Sequence, residues 1–493
     1  MYSLGYDIGS SFIKCSIIEI ETGKLIAAGS YPDTEMTIDS PHPGWAEQHP
    51  DMWWQNVVAL TKKLLHDSKI ESKNIKSIGI SYQMHGLVCV DKNGKPLRPA
   101  IIWCDSRAVS IGEEGYKALG KEYCDNNLLN SPGNFTASKL RWVQQNEPDI
   151  YKSIFKIMLP GDYIAYKLTG DIVTTVSGLS EGIFYDFRSN TVSQKLLEAY
   201  NIREELLPPA FSTFSVQGTV TQEAAKETDL PAGIPVSYRA GDQPNNAFSL
   251  NVLNPGEIAA TAGTSGVVYG VTDAILSDRF SRVNLFAHVN HSPQEPRLGV
   301  LLCINGTGIS NSWLRKTAGT NKTYDEINSL AEKVPIGSQG VRIYPFGNGA
   351  ERMLKNATIG AHIMNLDFNR HTFGHLARAT HEGVAFSFKY GIEIMNEMGL
   401  NISVIRAGKA NMFLSPVFRE TLANITNAFI ELYNTDGAQG SARGAALGAG
   451  FYRSPKDAFQ SLAKVGEVSP SKEQEKANEA YSSWKEQFQI FLK

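Results

Sequence analysis

The sequence predicts an α/β protein of two lobes, each opened by a β-hairpin able to hold an anion. Three observations carry this reading. The N-terminus runs as a strand, a Gly9-Ser10-Ser11 turn, a strand, a Thr22-Gly23 turn and a third strand. The middle of the chain repeats that grammar: Glu257 to Ala262, a Gly263-Thr264-Ser265-Gly266 turn, then Val267 to Val271. Glycines flanking hydroxyl residues leave backbone N–H groups free to converge on an anion, and the hydroxyls add donors. The third observation is one acid: the apolar run Ile234 to Val236 leads to Gly241-Asp242, a carboxylate at the tip of an extended strand. An acid close to an anion cradle suggests phosphoryl transfer, the acid taking a hydroxyl proton while the cradle holds a phosphate. Taken singly, each stretch is equally a turn-capping Asp or a Gly-rich hairpin. Repetition of the cradle at the head of two halves decides for a bilobal nucleotide-binding fold.

In chain order, Asp39 to Glu47 is rich in Pro and Gly and reads as a loop over a surface or site. Apolar spacing predicts a helix over Asp51 to Leu65, with Asp51 placed to cap it. Ile75 to Ile80 reads as a strand that delivers Gln83-Met84-His85-Gly86 to a ligand-facing end. Leu87 to Val90, the Asp91–Gly94 turn and Ile101 to Trp103 form another hairpin-like unit. Helical spacing runs from Thr136 to Gly170, punctuated at Glu147-Pro148 and Leu159-Pro160-Gly161. A Ser/Gly-rich piece, Ser177 to Gly182, and two further helices precede Pro235. The lobe boundary is placed between Asp242 and Pro255, giving lobes of residues 1–246 and 247–493. The second half continues through Gly306-Thr307-Gly308, a helix over Ser312 to Ala318 and a loop rich in Gly and charge at Gly347 to Lys355. Two long helices are predicted at His371–Met398 and Pro416–Leu432, with a strand from Ser403 to Arg406 between them. Gly440 to Gly450 alternates Gly and Ala as tight helix packing requires, and Tyr481 to Phe491 reads as one amphipathic helix.

At 493 residues the chain has material for two or three domains with real cores. A net charge of −3 with mixed signs gives no nucleic-acid or membrane-surface patch. The five cysteines are scattered without a CxxC pair, so neither zinc nor a disulfide framework is indicated. No run approaches the ~20 apolar residues of a membrane span, and strand-like sequence begins at once without a leader. A soluble, cytoplasmic protein is expected. The sequence leaves open whether it works alone or as a homodimer.

Six motifs in order carry a family resemblance: Asp7-Ile8-Gly9-Ser10-Ser11, Pro43 to Gln48, Gln83-Met84-His85-Gly86, Leu97 to Trp103, Gly241-Asp242-Gln243 and Gly263 to Gly266. Through them the chain resembles the FGGY carbohydrate kinases almost end to end. The resemblance implies a duplicated ribonuclease-H-like (actin-like ATPase) fold, two lobes around a central cleft, and ATP-dependent phosphorylation of a sugar hydroxyl with Mg²⁺. Carried over position by position, Asp242 falls at the family's general base and Asp7 would hold Mg²⁺. Ser10, Ser11 and Lys14, with Gly263, Thr264 and Ser265, would cradle the β- and γ-phosphates. Gly308 and the loop containing Gly408, Lys409 and Asn411 would reach the adenine end. Gln83, Met84, His85, Gln243 and Trp103 would face the sugar. Met84-His85 resembles the pair that xylulose kinases present to a ketopentose, where glycerol kinases present Arg-Glu. D-xylulose to D-xylulose 5-phosphate is therefore the expected reaction. The alternatives are a kinase for ribulose, glycerol or gluconate, and a sugar-binding regulator on the same fold. The chain departs from the xylulose kinase pattern at Gln243, usually Asn, and at Lys409, usually a small residue.

Overall fold

The computed structural model describes residues 1–492, and its backbone builds the same five-stranded motif twice. In the first half, β1 (Tyr2–Ile8), β2 (Ile13–Glu19) and β3 (Leu25–Tyr31) form an antiparallel meander. Strand β4 (Ile75–Tyr82) then adds parallel to β1, and β5 (Val236–Gly241) adds parallel to β4. In the second half, β6 (Glu257–Ala262) and β7 (Gly266–Thr272) form the second predicted hairpin. The edge strand β8 (Asn284–Ala287) leads to β9 (Leu298–Ile304), which completes the meander against β7. Strand β10 (Val404–Gly408) lies parallel to β6, β11 (Phe429–Tyr433) parallel to β10, and β12 (Lys464–Val468) closes the far edge. The order β3-β2-β1-β4-β5 thus recurs as β9-β7-β6-β10-β11. The repeated turn in the sequence is the visible end of a duplicated sheet.

Period-two alternation sends the two faces of β1 to different partners. Tyr6 turns toward helix α1 (Pro50–Ser68), where its hydroxyl lies 2.6 Å from that of Thr61. Ser3, Gly5 and Asp7 turn the other way. The helices that matter for the site follow in order: α2 (Thr136–Asn146), α3 (Pro160–Thr169), α4 (Val176–Glu181) and α5 (Asp242–Ser249) in and after the first half. The second half supplies α6 (Gly308–Ala318), α7 (Phe373–Glu397), α8 (Pro416–Thr426), α9 (Gly437–Gly448) and α10 (Gln474–Phe488). Although α9 follows β11 in the chain, it lies on the first sheet. Ser3 Oγ donates to Ala442 O at 2.7 Å, and a Cβ built on Gly5 would stand 2.1 Å from Ala438 O. Glycine on the strand and glycine and alanine on the helix bring the two backbones together, which is the use of the Gly/Ala stretch.

Two expectations need correction. Asp51 does not cap α1: His49 does, its ring nitrogen accepting the Asp51 N–H at 3.3 Å, while Asp51 sits in the first turn where its charge meets the helix dipole. The helix expected over Pro416–Leu432 ends at Thr426, because Asn427 takes φ 54° and the chain re-enters as β11. The hairpin-like unit expected after Leu87 forms: Asp91 N–H closes its turn on Lys95 O at 3.0 Å, Leu97 N–H donates to Cys89 O at 2.9 Å and Leu87 bridges Ile101, while Val88–Val90 pairs on its other side with Lys156–Met158. Most of the Ser/Gly-rich piece Ser177–Gly182 is α4, whose start is capped by Thr175.

The Pro43–Gln48 and Leu97–Trp103 motifs build a wall beside the first sheet. Glu47 and Gln48 pair with Ile101 and Ala100, and Glu47 forms buried ion pairs with Arg98 and Arg107. The Arg107 guanidinium lies 3.8 Å from the centre of the Trp45 ring. Among the described residues, no helix is long and apolar enough to cross a membrane.

Candidate active site

Strands β5, β4 and β1 are adjacent and parallel, so their C-terminal ends open on one side, where α/β sheets place ligands. Asp242 opens α5 directly after β5, Gln83-Met84-His85 follows β4, and Asp7 stands one residue from the end of β1. In register Asp7 lies beside Ser81, and Ser81 beside Ala240. Both acids are half-buried. Burial pushes the Asp242 carboxyl up to about 7, the negative charge of Asp7 adds to the rise, and hydrogen bonds from Gln243 oppose it. Asp7 is also raised, chiefly by burial; Lys14 and Ser81 oppose the rise and Asp436 adds to it. Lys14 faces Asp7 across the β1–β2 ladder with its own side chain exposed. The start of α9 backs the pair, since a Cβ on Gly437 would stand 2.8 Å from Asp7 Oδ2.

The two turns present unspent donors. Across the first, only Gly9 N–H closes back, to Phe12 O at 3.1 Å. Among the described residues the N–H groups of Ser10, Ser11, Thr264 and Ser265 donate to nothing within the protein. The second turn is clamped from behind by α6: Gly308 N–H donates to Gly263 O at 2.7 Å and Thr307 Oγ1 to the same oxygen at 2.9 Å. A Cβ on Gly308 would sit 2.3 Å from Gly263 O. Gly308 therefore uses its N–H on the hairpin and serves the cradle as a buttress. Asn411 lies beside the same turn, its Nδ2 3.5 Å from where a Gly263 Cβ would be. Gly408 ends β10, and Lys409 is tied by its backbone to Tyr433 O at 3.0 Å while its side chain is exposed.

His85 is held at three points in a left-handed backbone conformation, φ 61°. Its N–H donates to Glu181 Oε1 at 3.4 Å, its Nδ1–H to Glu181 O at 3.0 Å, and its carbonyl accepts from Lys139 Nζ at 2.8 Å. A proton on Nδ1 leaves Nε2 as an acceptor. Burial, with Lys139 and Arg352 nearby, pushes His85 down to about 3, so the ring is neutral. It packs on Phe135 and on Phe286 of β8, centroids 4.6 and 5.2 Å away. Met84 is buried against Gly241, where a Cβ would meet Met84 Cγ at 2.5 Å. Gln83 points back to the wall, its Nε2 donating to Gln48 Oε1 at 3.4 Å. Trp103 is about half exposed and stands at the first turn, donating to Ser10 Oγ at 3.3 Å.

Sequence reasoning missed Glu181, Lys139 and Arg239. All three are fully buried. Glu181 is raised far above the usual carboxylate range by burial, and Asp242 and Asp162 add to the rise. Burial lowers Lys139 to about 7, and its ammonium is shared between the carbonyls of His85 and Ile102. Arg239 on β5 pairs with Asp162 of α3 at 3.1 Å. The one signal available was a charge amid otherwise buried helix or strand positions. No group of three or more His, Cys, Asp or Glu able to hold a metal occurs among the described residues.

Comparison with known proteins matches this architecture along the chain. The N-terminal domain of the FGGY family of carbohydrate kinases matches residues 2–249, and its C-terminal domain matches residues 258–452. The chain is 31% identical over 488 residues to a xylulose kinase of Staphylococcus epidermidis, covering 97% of this chain and 95% of that one. It is 28% identical over 462 residues to a xylulose kinase of Escherichia coli, covering 93% and 92%. The crystal structure of a xylulose kinase from Rhodospirillum rubrum superposes with a TM-score of 0.88 at 27% identity, over 99% of both chains. The duplicated sheets are those of the actin-like ATPase fold. With both domains matched and a relative 31% identical along nearly the whole chain, the chain belongs to the FGGY family of carbohydrate kinases and is a sugar kinase.

Proposed function

We propose that this kinase transfers the γ-phosphoryl group of ATP to O5 of D-xylulose, with Asp242 as the general base. The observation that carries the reading is the shared edge of three neighbouring strands, which sets Asp242 beside Asp7 and close to a neutral His85. The Asp242 carboxylate accepts the proton of the O5 hydroxyl as the O5–phosphorus bond forms. The bond from phosphorus to the β-phosphate oxygen breaks, ADP leaves, and the proton remains on Asp242. A group titrating near neutrality suits this exchange. Met84 gives the carbon chain an apolar wall, and His85 Nε2 accepts from a sugar hydroxyl. The names of the relatives support the choice of ketopentose.

The residues present fit Mg²⁺. Asp7 and Asp242 are half-buried carboxylates, the charge of Asp7 raises Asp242, and Lys14 is the cation beside Asp7. A hydrated Mg²⁺ needs few protein ligands, which agrees with the lack of a denser acidic cluster. Asp7 would hold it through water, and it would neutralise charge on the phosphates. The free N–H groups of Ser10, Ser11, Thr264 and Ser265 cradle those phosphates, and Gly408 to Asn411 lie toward the adenine. The lobes divide within 242–255, so α5 carries the base at the junction.

A coupled ADP-release assay over D-xylulose, D-ribulose, glycerol and gluconate tests the reading. D-xylulose should give the highest kcat/KM. A tenfold preference for any of the others, about 1.4 kcal/mol, sinks the substrate assignment.

A further inference from the structure

The loop Gly347 to Lys355 of the second half reaches the sugar side of the site, and none of the steps above uses it. It is built at conformational cost: Glu351, Lys355 and Asn356 take φ of 42°, 53° and 61°. Between them Arg352 sets its guanidinium 5.4 Å over the ring of Phe135, the ring on which His85 packs. Gly133 makes room for it, since a Cβ there would stand 2.7 Å from Arg352 Nη2. The guanidinium lowers the basicity of His85, which places its charge near the imidazole. Yet Arg352 makes no ion pair within 4 Å among the described residues, the adjacent Glu351 acts on it only at longer range, and its buried Nη1 has no hydrogen-bond partner. A desolvated guanidinium with an unspent donor calls for an acceptor from outside the chain.

The chemistry of the substrate supplies one. This step rests on the ketopentose reading above. When D-xylulose closes to a furanose, O5 becomes the ring atom bonded to C2 and has no proton to give. A kinase acting at O5 therefore holds the open chain, whose C2 carbonyl only accepts hydrogen bonds. His85 Nε2 and the Asp242 carboxylate are acceptors, and the Lys139 ammonium is already shared between two backbone carbonyls. Arg352 carries donors and no acceptor. We propose that Arg352 is the second half's contribution to sugar recognition, donating to the C2 carbonyl oxygen of the open-chain ketose and so setting ketose above pentitol.

The test compares D-xylulose with xylitol and D-arabinitol, which carry a hydroxyl at C2, in the wild type, Arg352→Ala and Arg352→Lys. The pentitols are read as substrates or as competitive inhibitors. Losing a charged donor to the carbonyl should lower kcat/KM for D-xylulose about 10- to 100-fold, mainly through KM, with the pentitol constants and the KM for ATP within about threefold. Arg352→Lys keeps the charge without the planar fork and should fall between. The lysine variant also preserves the comparison if the alanine variant folds poorly. An equal loss for ketose and pentitols overturns the proposal, as does an unchanged preference. A fall in kcat alone for every acceptor would place Arg352 on the phosphoryl group instead. A wild type that turns over no ketose sinks the substrate reading and this inference with it, whereas ketose turnover with unaltered discrimination in the variants sinks this inference alone.

Discussion

Glu181 grips His85 from two sides, its carboxyl oxygen accepting the His85 N–H at 3.4 Å and its carbonyl accepting from Nδ1 at 3.0 Å. The carbonyl bond survives any change of side chain, but the carboxyl bond does not. Burial pushes the Glu181 carboxyl well above the usual carboxylate range, and an amide keeps its shape and an accepting oxygen. Glu181→Gln is expected to stay close to wild type. Glu181→Ala leaves a buried N–H unpaired, a cost of about 1–3 kcal/mol, and should raise the sugar KM while sparing the KM for ATP. An equal rise in both constants would mean that Glu181 serves only the fold.

Asp242→Asn removes the proposed proton acceptor and keeps the shape. Loss of a general base costs ~10²–10⁴ in rate, so kcat should fall by that range while sugar binding, measured by calorimetry, stays near wild type. Turnover within a few-fold of wild type would show that another group takes the proton.

The pH profile follows from the same residue. A base works deprotonated, and Asp242 sits at about 7, so kcat/KM should fall as pH drops through that region. Part of the rise comes from the charge on Asp7. Raising the Mg²⁺ concentration should offset that charge and move the acid limb to lower pH. His85, held near 3 by burial, contributes no limb between pH 5 and 8. A profile that is flat from 5 to 8 at every Mg²⁺ concentration would contradict this assignment.

Gly308 has no room for a methyl group. A Cβ there would stand 2.3 Å from Gly263 O, and the obstacle is backbone. Gly308→Ala should push the second turn off α6, raising the KM for ATP with little change in the sugar KM, and lower stability by about 1–3 kcal/mol. An unchanged KM for ATP in a folded variant would remove that turn from nucleotide binding.

The parts legible in the sequence were those with local grammar. A glycine turn between two apolar runs declares a hairpin from a dozen residues, and two such turns announced the doubled sheet. Asp242 was legible because a strand ended at it. Glu181, Lys139 and Arg352 were not, because what gives them meaning is burial against segments far away in the chain: His85 for the first two, Phe135 and Gly133 for the third. The error at Pro416–Leu432 has a local cause. Asn427 can take the left-handed conformation that ends a helix, but Phe429 to Tyr433 is short and apolar enough to fit either period. The helix Tyr324–Glu332 carries a local signal of the same kind in its Thr323–Glu326 capping box.

The position of α9 has a mechanical consequence. The chain passes from the first sheet to the second after α5, returns to the first to lay down α9, and leaves again for β12. Two bodies stitched together more than once cannot swing freely about a single tether; they turn about the line through the stitches, as a door turns on its pins. One stitch, at Asp436-Gly437, lies against Asp7. A rotation about that line would move Asp7 little, because it lies against one of the stitches.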